Sequence, residues 1–271
     1  MKIDVCLLAS NENPMYYMIY PYVKLVWEKL LNIKCILVYI GESIPKELEN
    51  YTNSIILFKP IKNLHTAFIA QCIRLLYPCI MDEYKNGILI CDIDLIPLNN
   101  YLIKKTEGIN DDYFVNFFLK DKLIACEEIN IIYNVASYSV WRDIFKIHSL
   151  DDIIETLQSW YKFAGQYHYD PIYRSKCKGY HTDQKMFYKY INSWEKKNTH
   201  FHIEKDDGIQ VIDFSPKILK NKKILKNIEE GKYVDIRTVR CPRLNVSQYI
   251  PIILEIIKLV LKENINIQSI N

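Results

Sequence analysis

The sequence lacks several features that would assign it to particular classes of protein. No two of its eight cysteines are spaced as C-x-x-C, so we expect reduced thiols within the core. No apolar run is long enough to span a bilayer. No repeat, low-complexity tract or linker rich in glycine, serine or proline divides the 271 residues, so a single domain is expected.

Charge and composition restrict the function further. Hydrophobic residues make up 49% and charged residues 25% of the chain, as in a folded protein with a large core. The net charge of +3 is too small to indicate a nucleic-acid partner, and the lysines between 217 and 226 are typical of a solvated helix face. Asp4 interrupts the first apolar stretch, which argues against a signal peptide and favours a cytoplasmic protein.

The first half of the chain alternates between strands and helices. Apolar runs predict strands over residues 3–8, 35–40, 54–58 and 88–91, and helical spacing predicts helices over 14–31 and 64–81. This alternation predicts an α/β fold with a mostly parallel, doubly wound central sheet and flanking helices. Ligands bind beyond the carboxyl ends of the strands in such sheets, where Ser10 and Asn11 follow the first strand.

The second half is less regular. Strands are predicted over 113–118 and 131–137, and a helix over 150–163. Residues 160–181 are dense in aromatic side chains, which indicates either a surface for a sugar ring or a cover over the core. Residues 250–261 predict an amphipathic helix, either packed on the domain or docked on a membrane surface.

Two acids follow the apolar strand at 88–91. Asp92 and Asp94 come directly after Ile-Leu-Ile-Cys, and Pro97 is expected to stop the pairing of this strand. Ionised carboxylates beside a buried strand are unfavourable unless a cation or hydrogen-bond donors offset their lost hydration. The pair therefore indicates a bound divalent metal.

Three explanations of this strand-Asp-x-Asp pattern differ in chemistry. The carboxylates hold a metal against the diphosphate in nucleotide-sugar transferases, the first Asp is a nucleophile in aspartyl-phosphate phosphatases, and the third explanation is coincidence. The phosphatase motif has a small, flexible pair after the second Asp, whereas Leu95 and Ile96 stand there. The position of the acids at the mouth of a buried fourth strand favours a metal site over coincidence.

With these residues in place, the chain resembles glycosyltransferases of the GT-A fold, and more distantly their family 8. The resemblance covers residues 3 to about 190, beginning with the element order that leads to the Asp-x-Asp motif. Asn134-Val-Ala-Ser is similar to the family's Asn-Ala-Gly strand, and Asp183-Gln184 is similar to its Asp-Gln pair at the start of a helix. The resemblance implies a nucleotide-sugar-binding half over 1–110 and an acceptor-side half over 111–271.

The resemblance also implies a role for each matching residue. Asp92 and Asp94 would hold Mn²⁺ or Mg²⁺, with a nucleotide-diphosphate sugar as the co-substrate. The residues that would contact this donor are Ser10, Asn11, Arg74, Asp92 and Asn134. A solvent-facing position is the alternative for Arg74, which lies on the predicted helix over 64–81.

Asp183 and Gln184 would form the catalytic centre. In an inverting enzyme, an acid deprotonates the acceptor hydroxyl as general base. In a retaining enzyme, Gln184 or Asp183 would instead stabilise an oxocarbenium-like state on the donor. The sequence leaves both open, and helix capping alone is a further explanation for Asp183.

The chain departs from family 8 in two places. Val135 and Ala136 replace the glycine-containing part of the Asn-Ala-Gly motif, which indicates a relative rather than a close member. A late His-x-x-Gly-x-x-Lys-Pro segment, which gives the family a third metal ligand and a phosphate-binding lysine, is also missing. The candidates for the ligand are His200, His202, Asp213 and Asp235, and those for the phosphate-binding cation are Arg237, Arg240 and Arg243.

We therefore expect a metal-dependent glycosyltransferase of the hexosyltransferase type. It would move a sugar from a UDP- or GDP-sugar to a glycan, a protein or a small molecule. Two alternatives remain: a catalytically silent relative that binds nucleotide or carbohydrate, and a sugar nucleotidyltransferase. The second is disfavoured because no glycine-rich phosphate loop follows the first strand.

Overall fold

A seven-stranded sheet forms the centre of the protein. The structure is a computed structural model that describes residues 1–117, 126–165, 167, 179–204, 210–215, 217–238 and 246–262. The sheet has the order β3-β2-β1-β4-β7-β6-β8. Its strands are β1 (Ile3–Asn11), β2 (Lys34–Ile40), β3 (Ile55–Phe58), β4 (Gly87–Cys91), β6 (Phe114–Phe117), β7 (Tyr133–Ser137) and β8 (Phe201–Glu204).

The sheet is mostly parallel, as predicted. β3, β2, β1 and β4 are parallel neighbours, and β6 is parallel to β8. Only β7 runs antiparallel to the strands on its two sides, which are β4 and β6. Helices flank the sheet, so the predicted α/β fold class is confirmed.

Two of the predicted helices are interrupted, in both cases near a proline. The helix expected over 14–31 is split into α1 and α2 at Met18 and Ile19, and Pro21 lies in the first turn of α2, where its missing N–H is tolerated. The helix expected over 64–81 is α3 followed by a 3₁₀ turn (Tyr77–Ile80) that contains Pro78. The α-helices are α1 (Pro14–Tyr17), α2 (Tyr20–Lys29), α3 (Thr66–Leu76), α4 (Tyr101–Thr106), α5 (Tyr138–Phe145), α6 (Leu150–Ala164), α7 (Thr182–Ser193), α8 (Lys197–His200), α9 (Lys222–Glu229) and α10 (Val246–Leu261). The other 3₁₀ segments are Lys46–Ser54 and Ile218–Lys220.

Apolar side chains cover both faces of the sheet. Successive residues of a strand point to opposite faces, so Leu89 belongs to a core that contains Trp27 of α2, whereas Ile90 belongs to a core that contains Phe68 of α3. Burial on both faces explains why the central strands read as continuous apolar runs rather than as alternating patterns. It also leaves the strand ends as the places where polar groups can gather.

A second, three-stranded sheet has no counterpart among the predicted strands. β5 (Leu95–Pro97) pairs antiparallel with β10 (Tyr233–Arg237), and β10 pairs parallel with β9 (Gln210–Asp213). The pairing of β4 ends at Cys91, and Pro97 lies within β5 opposite Asp235. The expectation that Pro97 stops strand pairing is therefore wrong, because an edge strand tolerates the missing N–H of a proline. This small sheet places β10 beside the Asp-x-Asp turn.

The amphipathic segment near the end of the chain is packed against the domain. Ile253, Leu254, Ile256 and Ile257 of α10 are buried in the core that includes α2, and α10 contacts α2 and α9. Among the residues that the structure describes, no helix combines the length and the apolar character needed to cross a bilayer.

Candidate functional site

The acid pair lies in the turn that joins β4 to β5. The Leu95 N–H donates to the Asp92 carbonyl at 3.2 Å and closes this turn, and 34% of the Asp92 side chain is exposed. β1 and β4 are parallel neighbours in a register that pairs Leu7 with Ile90. Because parallel strands end at the same edge of a sheet, the acid pair lies at the edge where β1 ends.

Ser10 and Asn11 form the end of β1. Ser10 is 2% exposed, and its hydroxyl donates to the Asn11 carbonyl at 3.1 Å. The Asn11 side chain donates to the Thr66 hydroxyl at 3.1 Å and so ties the strand to the start of α3. These residues are therefore at the expected edge of the sheet, and their contact with a nucleotide stays a prediction.

Arg74 is a buried arginine between two carboxylates. It is 8% exposed, so a solvent-facing position is wrong. Its Nη1 donates to Asp92 Oδ1, its Nη2 lies 3.7 Å from Asp183 Oδ2, and its Nε donates to the Gln71 carbonyl at 3.3 Å. The guanidinium thus joins the end of β4 to the start of α7, which are far apart in sequence.

Asp183 is a buried carboxyl group with a raised pKa. It is 3% exposed, and this burial raises its pKa to about 7, although Arg74 and the Gln184 N–H, which donates to its Oδ1 at 2.8 Å, both lower the pKa. Asp183 lies in the first turn of α7 and not at its N-cap, which is His181 without a side-chain cap bond, so N-capping does not explain Asp183. The ion pair with Arg74 contributes nothing to capping, so Asp183 belongs to the polar cluster as well as to the helix.

The raised pKa of Asp183 predicts a pH-dependent stability. A carboxyl whose pKa is higher in the folded state stabilises the fold when protonated, so this contribution is present below pH 4 and lost as the pH rises towards about 7. In EDTA, we expect Asp183→Asn to gain up to roughly 4 kcal/mol over the wild type between pH 4 and pH 8, because each unit of pKa difference is worth about 1.4 kcal/mol. Urea unfolding at several pH values measures this.

Asp152 provides a control of opposite sign for that experiment. The His148 N–H donates to its carboxylate in the first turn of α6 and lowers its pKa, so its contribution is present at neutral pH and lost as the pH falls. Asp152→Asn should therefore destabilise the protein near neutral pH. An Asp183→Asn effect of equal size at pH 4 and pH 8 would contradict the burial argument.

Gln184 lies beside a histidine and a glutamate. Its side-chain nitrogen is 3.2 Å from His181 Nδ1, and Glu128 Oε2 is 3.8 Å from the same ring nitrogen. The Gln184 carbonyl accepts from the Ile129 N–H at 3.2 Å. The structure therefore places Gln184 next to Asp183 with its side chain oriented by neighbours that the sequence did not indicate.

Asn134 belongs to a buried cluster of amides. It is fully buried, its Oδ1 accepts from Asn116 Nδ2 at 2.5 Å, and its Nδ2 donates to the Asn130 carbonyl at 3.2 Å. Asn134 pairs with Ile90 across β4 and β7, so it lies near the site, but its side chain has no exposed surface for a donor. Asn116 is not among the residues predicted from the sequence. The feature that could have indicated it is a polar residue inside the apolar run Phe-Val-Asn-Phe.

Most candidates for a third metal ligand lie elsewhere. His200 is 3.2 Å from Asp112, and His202 is 3.1 Å from Glu204. Asp213 is exposed on β9. Of the three arginines named for phosphate binding, Arg237 lies in β10, and Arg240 and Arg243 fall outside the described residues.

Asp235 is the candidate that lies near the acid pair. It is 1% exposed, and burial raises its pKa to about 7; the charge of Arg237 and the Tyr133 hydroxyl lower the pKa, whereas Asp94 and Asp92 raise it. The Tyr133 hydroxyl is the hydrogen-bonding neighbour of the Asp235 carboxyl, although within the described residues no bond of normal geometry reaches either oxygen. Asp235 is therefore a buried acid that is poorly compensated and electrostatically linked to both acids of the motif.

The carboxylates near the Asp-x-Asp turn are the kind of ligand that a hard divalent cation prefers, although they do not converge on one point in this structure. Across the part of the chain that the structure describes, no three His, Cys, Asp or Glu side chains are gathered closely enough to hold a metal ion. Asp92 is engaged by Arg74 instead. Carboxylate oxygens are the preferred ligands of Mn²⁺ and Mg²⁺, so the residue types of the acid pair suit such an ion.

One tyrosine of the aromatic segment anchors it to α3. Tyr167 is 9% exposed, its ring packs against Phe68 and His65, and its hydroxyl donates to Gln71 Oε1 at 2.8 Å. This residue therefore covers the core rather than presenting a free ring. Residue 166 and residues 168–178 of the segment lie outside the described residues.

The comparisons with known proteins give a likeness of fold. No family's sequence profile matches the chain, and no curated protein matches it. A solved galactosyltransferase, LgtC in complex with donor and acceptor sugar analogs, is 11% identical with a TM-score of 0.47, over 97% of this chain and 98% of that one. The apo form of the glycosyltransferase GlyE from Streptococcus pneumoniae TIGR4 is 12% identical with a TM-score of 0.49, over 97% of this chain and 63% of that one. Both neighbours are glycosyltransferases.

Proposed function

We propose that this protein is a glycosyltransferase that uses a nucleoside-diphosphate sugar, of the UDP or GDP type, together with Mn²⁺ or Mg²⁺. The observation that carries the proposal is the cluster of Asp92, Arg74 and Asp183 at the carboxyl edge of a parallel sheet. Ligands bind at this edge in doubly wound sheets. Buried charges that are only partly compensated are also typical of functional sites rather than of structural cores.

The two acids of the cluster differ in ways that suit different tasks. Asp92 is one-third exposed and lies in the Asp-x-Asp turn, where it can take part in binding a metal and a diphosphate. Asp183 is enclosed, and its pKa of about 7 suits proton exchange at neutral pH. Arg74 keeps the two carboxylates together without the like-charge repulsion that they would otherwise have.

For an inverting reaction, Asp183 is the general base. The proton of the acceptor hydroxyl moves to an Asp183 oxygen, the hydroxyl oxygen bonds to the anomeric carbon, and the bond from that carbon to the diphosphate oxygen breaks. For a retaining reaction, the Gln184 side chain stabilises positive charge on the donor ring instead. Both versions place the sugar against the start of α7, and the stereochemistry of the product distinguishes them.

A divalent ion, when bound, neutralises the charge that develops on the leaving diphosphate. Asp92 and Asp94 would hold this ion. Arg237 lies two residues after Asp235 in β10, and its charge acts on the Asp235 carboxyl. Arg237 would bind a phosphate oxygen of the donor. Ser10 and Asn11 would contact the nucleoside from the neighbouring strand.

The test is a panel of UDP- and GDP-sugars incubated with the protein and Mn²⁺. Release of nucleoside diphosphate above the level of a protein-free control is the expected result, even without an acceptor, because water can replace the acceptor hydroxyl. Donor binding without release, seen by calorimetry, would instead support a silent relative. Release of pyrophosphate from a nucleoside triphosphate and a sugar phosphate would support a nucleotidyltransferase.

A further inference from the structure

We infer that His181 is a positioning residue, which turns the Gln184 side chain so that the amide oxygen, and not the amide nitrogen, faces the donor sugar. The inference rests on the proposed function in its retaining form and deepens it with a residue to which that proposal gives no role. His181 is the N-cap residue of α7, and Gln184 lies in the first turn of the same helix.

The contact between these two side chains has a direction. Gln184 Nε2 lies 3.2 Å from His181 Nδ1. An amide nitrogen can only donate a hydrogen bond, so His181 Nδ1 is the acceptor and the neutral ring carries its proton on Nε2. Because the amide group is planar, Gln184 Oε1 lies on the branch that is turned away from the imidazole.

Neither capping nor core packing requires the imidazole at this position. The His181 side chain forms no cap bond to α7, and 41% of it is exposed. Gln184 is half-buried, so its amide keeps surface that a donor can reach, in contrast to the fully buried Asn134. The hydrogen bond to Gln184 is therefore the contact that gives the imidazole a task.

The loop before β7 fixes the surroundings of this contact. The Ile129 N–H donates to the Gln184 carbonyl at 3.2 Å, and the Asn130 carbonyl accepts from two buried asparagine side chains. Glu128 precedes these residues; its side chain is 13% exposed, and its Oε2 lies 3.8 Å from His181 Nδ1. The start of α7 and this loop thus hold the imidazole, the amide and a carboxylate side by side.

Glu128 gives the imidazole an alternative partner when the ring is protonated. A protonated ring has no acceptor at Nδ1 and would donate to the Glu128 carboxylate, so Gln184 would lose the bond that turns it. The other ionisable groups beside His181 are Tyr180, whose ring centroid lies 5.1 Å away, and Asp183 in the first turn of α7. The orientation of Gln184 therefore belongs to the neutral ring, and the experiments use pH 8, at which histidine is ordinarily neutral.

The orientation decides what Gln184 offers to the donor. The amide oxygen carries a partial negative charge and stabilises positive charge that develops on the sugar ring, whereas an amide N–H would oppose it. With the nitrogen bound to His181, the oxygen is the atom left for the sugar. Because this interaction strengthens in the transition state, its loss should lower kcat more than it changes substrate binding.

The first experiment compares two substitutions of His181 by the rate of nucleoside diphosphate release at pH 8. His181→Asn keeps an acceptor, because its Oδ1 replaces Nδ1, and should retain kcat within about threefold. His181→Phe keeps a ring but removes the acceptor, so kcat should fall by about tenfold to a hundredfold with KM nearly unchanged. If the ring acted by packing on Tyr180, phenylalanine would be the better substitute, and that order of rates would overturn the inference.

Two further variants control for effects that do not act through Gln184. His148→Phe removes a matched Nδ1 acceptor from an exposed histidine that bonds to Arg142, and should behave like the wild type. Gln184→Ala removes the group that is positioned, so the addition of His181→Phe should cause no further loss. An equal effect of His181→Phe with and without the Gln184 amide would refute a positioning role. Urea unfolding checks that each variant is folded.

The second experiment does not depend on turnover. Nitrogen NMR of the isotope-labelled full chain at pH 8 reports the tautomer of each of the six histidines, and the signal that is missing from His181→Asn identifies His181. We expect the proton on Nε2. A proton on Nδ1 would overturn the inference even in a protein that proves to be an active glycosyltransferase.

The outcomes separate this inference from the proposed function. If the wild type releases no nucleoside diphosphate from any UDP- or GDP-sugar, the proposed function is wrong and the role of His181 is lost with it. If the wild type is active and folded His181→Phe has the same kcat, only the role of His181 is wrong. A sugar transferred with inverted configuration would also overturn the inference, because Asp183 then acts as the general base and Gln184 carries no charge stabilisation.

Discussion

Asp94→Asn is expected to abolish metal-dependent donor turnover while leaving the fold intact. A neutral amide cannot replace the charge that a divalent ion requires from its ligands, and a metal contributes several kcal/mol to charge stabilisation in the transition state. Because about 1.4 kcal/mol corresponds to a factor of ten in rate, release of nucleoside diphosphate should fall by roughly 10² to 10⁴. The measurement is the rate of release at saturating Mn²⁺ and donor.

A thermal measurement checks the same substitution without depending on turnover. Mn²⁺ together with UDP or GDP at about 100 times the dissociation constant should stabilise the wild type by roughly 3 kcal/mol, which is a rise of about 5–10 °C in Tm for a domain of this size. Asp94→Asn should show little of this rise. Asp82→Asn is the control, because this exposed acid precedes β4 and lies outside the site. An equal rise in both variants would refute the metal assignment.

The sequence predicts the central sheet well because its strands have an unambiguous signal. The runs that became β1, β2 and β4 are apolar on both faces, and only a strand between two layers of helices places every residue in a core. Their order along the chain, with helices between them, then requires parallel pairing and a common edge for their ends. The positions of Ser10, Asn11 and the acid pair at that edge follow from the same reasoning.

The small second sheet shows where such reasoning stops. β5 and β9 are three and four residues long, too short for a period of two to be recognised, and Pro97 weakens the signal further. The pairing of β5 with β10 joins segments about 140 residues apart, a contact that no local pattern records. For this reason, the sequence names Asp235 only as one of four candidates, and the fold is needed to bring it to the acid pair.

Asn134 shows a different limit. The motif identifies the residue, and β7 carries it to the strand beside β4. Whether its side chain faces a ligand depends on which neighbours take its hydrogen bonds, and here Asn116 and Asn130 take them. Side-chain partners are set by packing between strands, so a motif predicts the location of a residue more reliably than its contacts.

Arg74→Met should be the most destabilising single substitution in the site. Removal of one partner from a buried ion pair leaves the other charge uncompensated, with a typical penalty of about 3–5 kcal/mol. Here two carboxylates lose their counter-ion, and the pKa of Asp183, which Arg74 lowers, should rise above its present value of about 7. Urea unfolding at pH 8 measures the loss. Arg142→Met is the control because the partners of Arg142 among the described residues are the Tyr138 hydroxyl and His148, and neither is an acid.

The sign of the pH dependence separates a charge effect from a loss of packing. Protonated Asp183 needs no counter-ion, so the deficit of Arg74→Met should shrink as the pH falls from 8 towards 5, whereas a packing defect would persist unchanged. The double variant Arg74→Met with Asp183→Asn should recover part of the stability at pH 8, because it removes the buried charge together with its partner. The gain from Asp183→Asn at pH 8 should be larger in the Arg74→Met background than in the wild type, and an equal gain in the two backgrounds would show that Arg74 acts mainly by filling space.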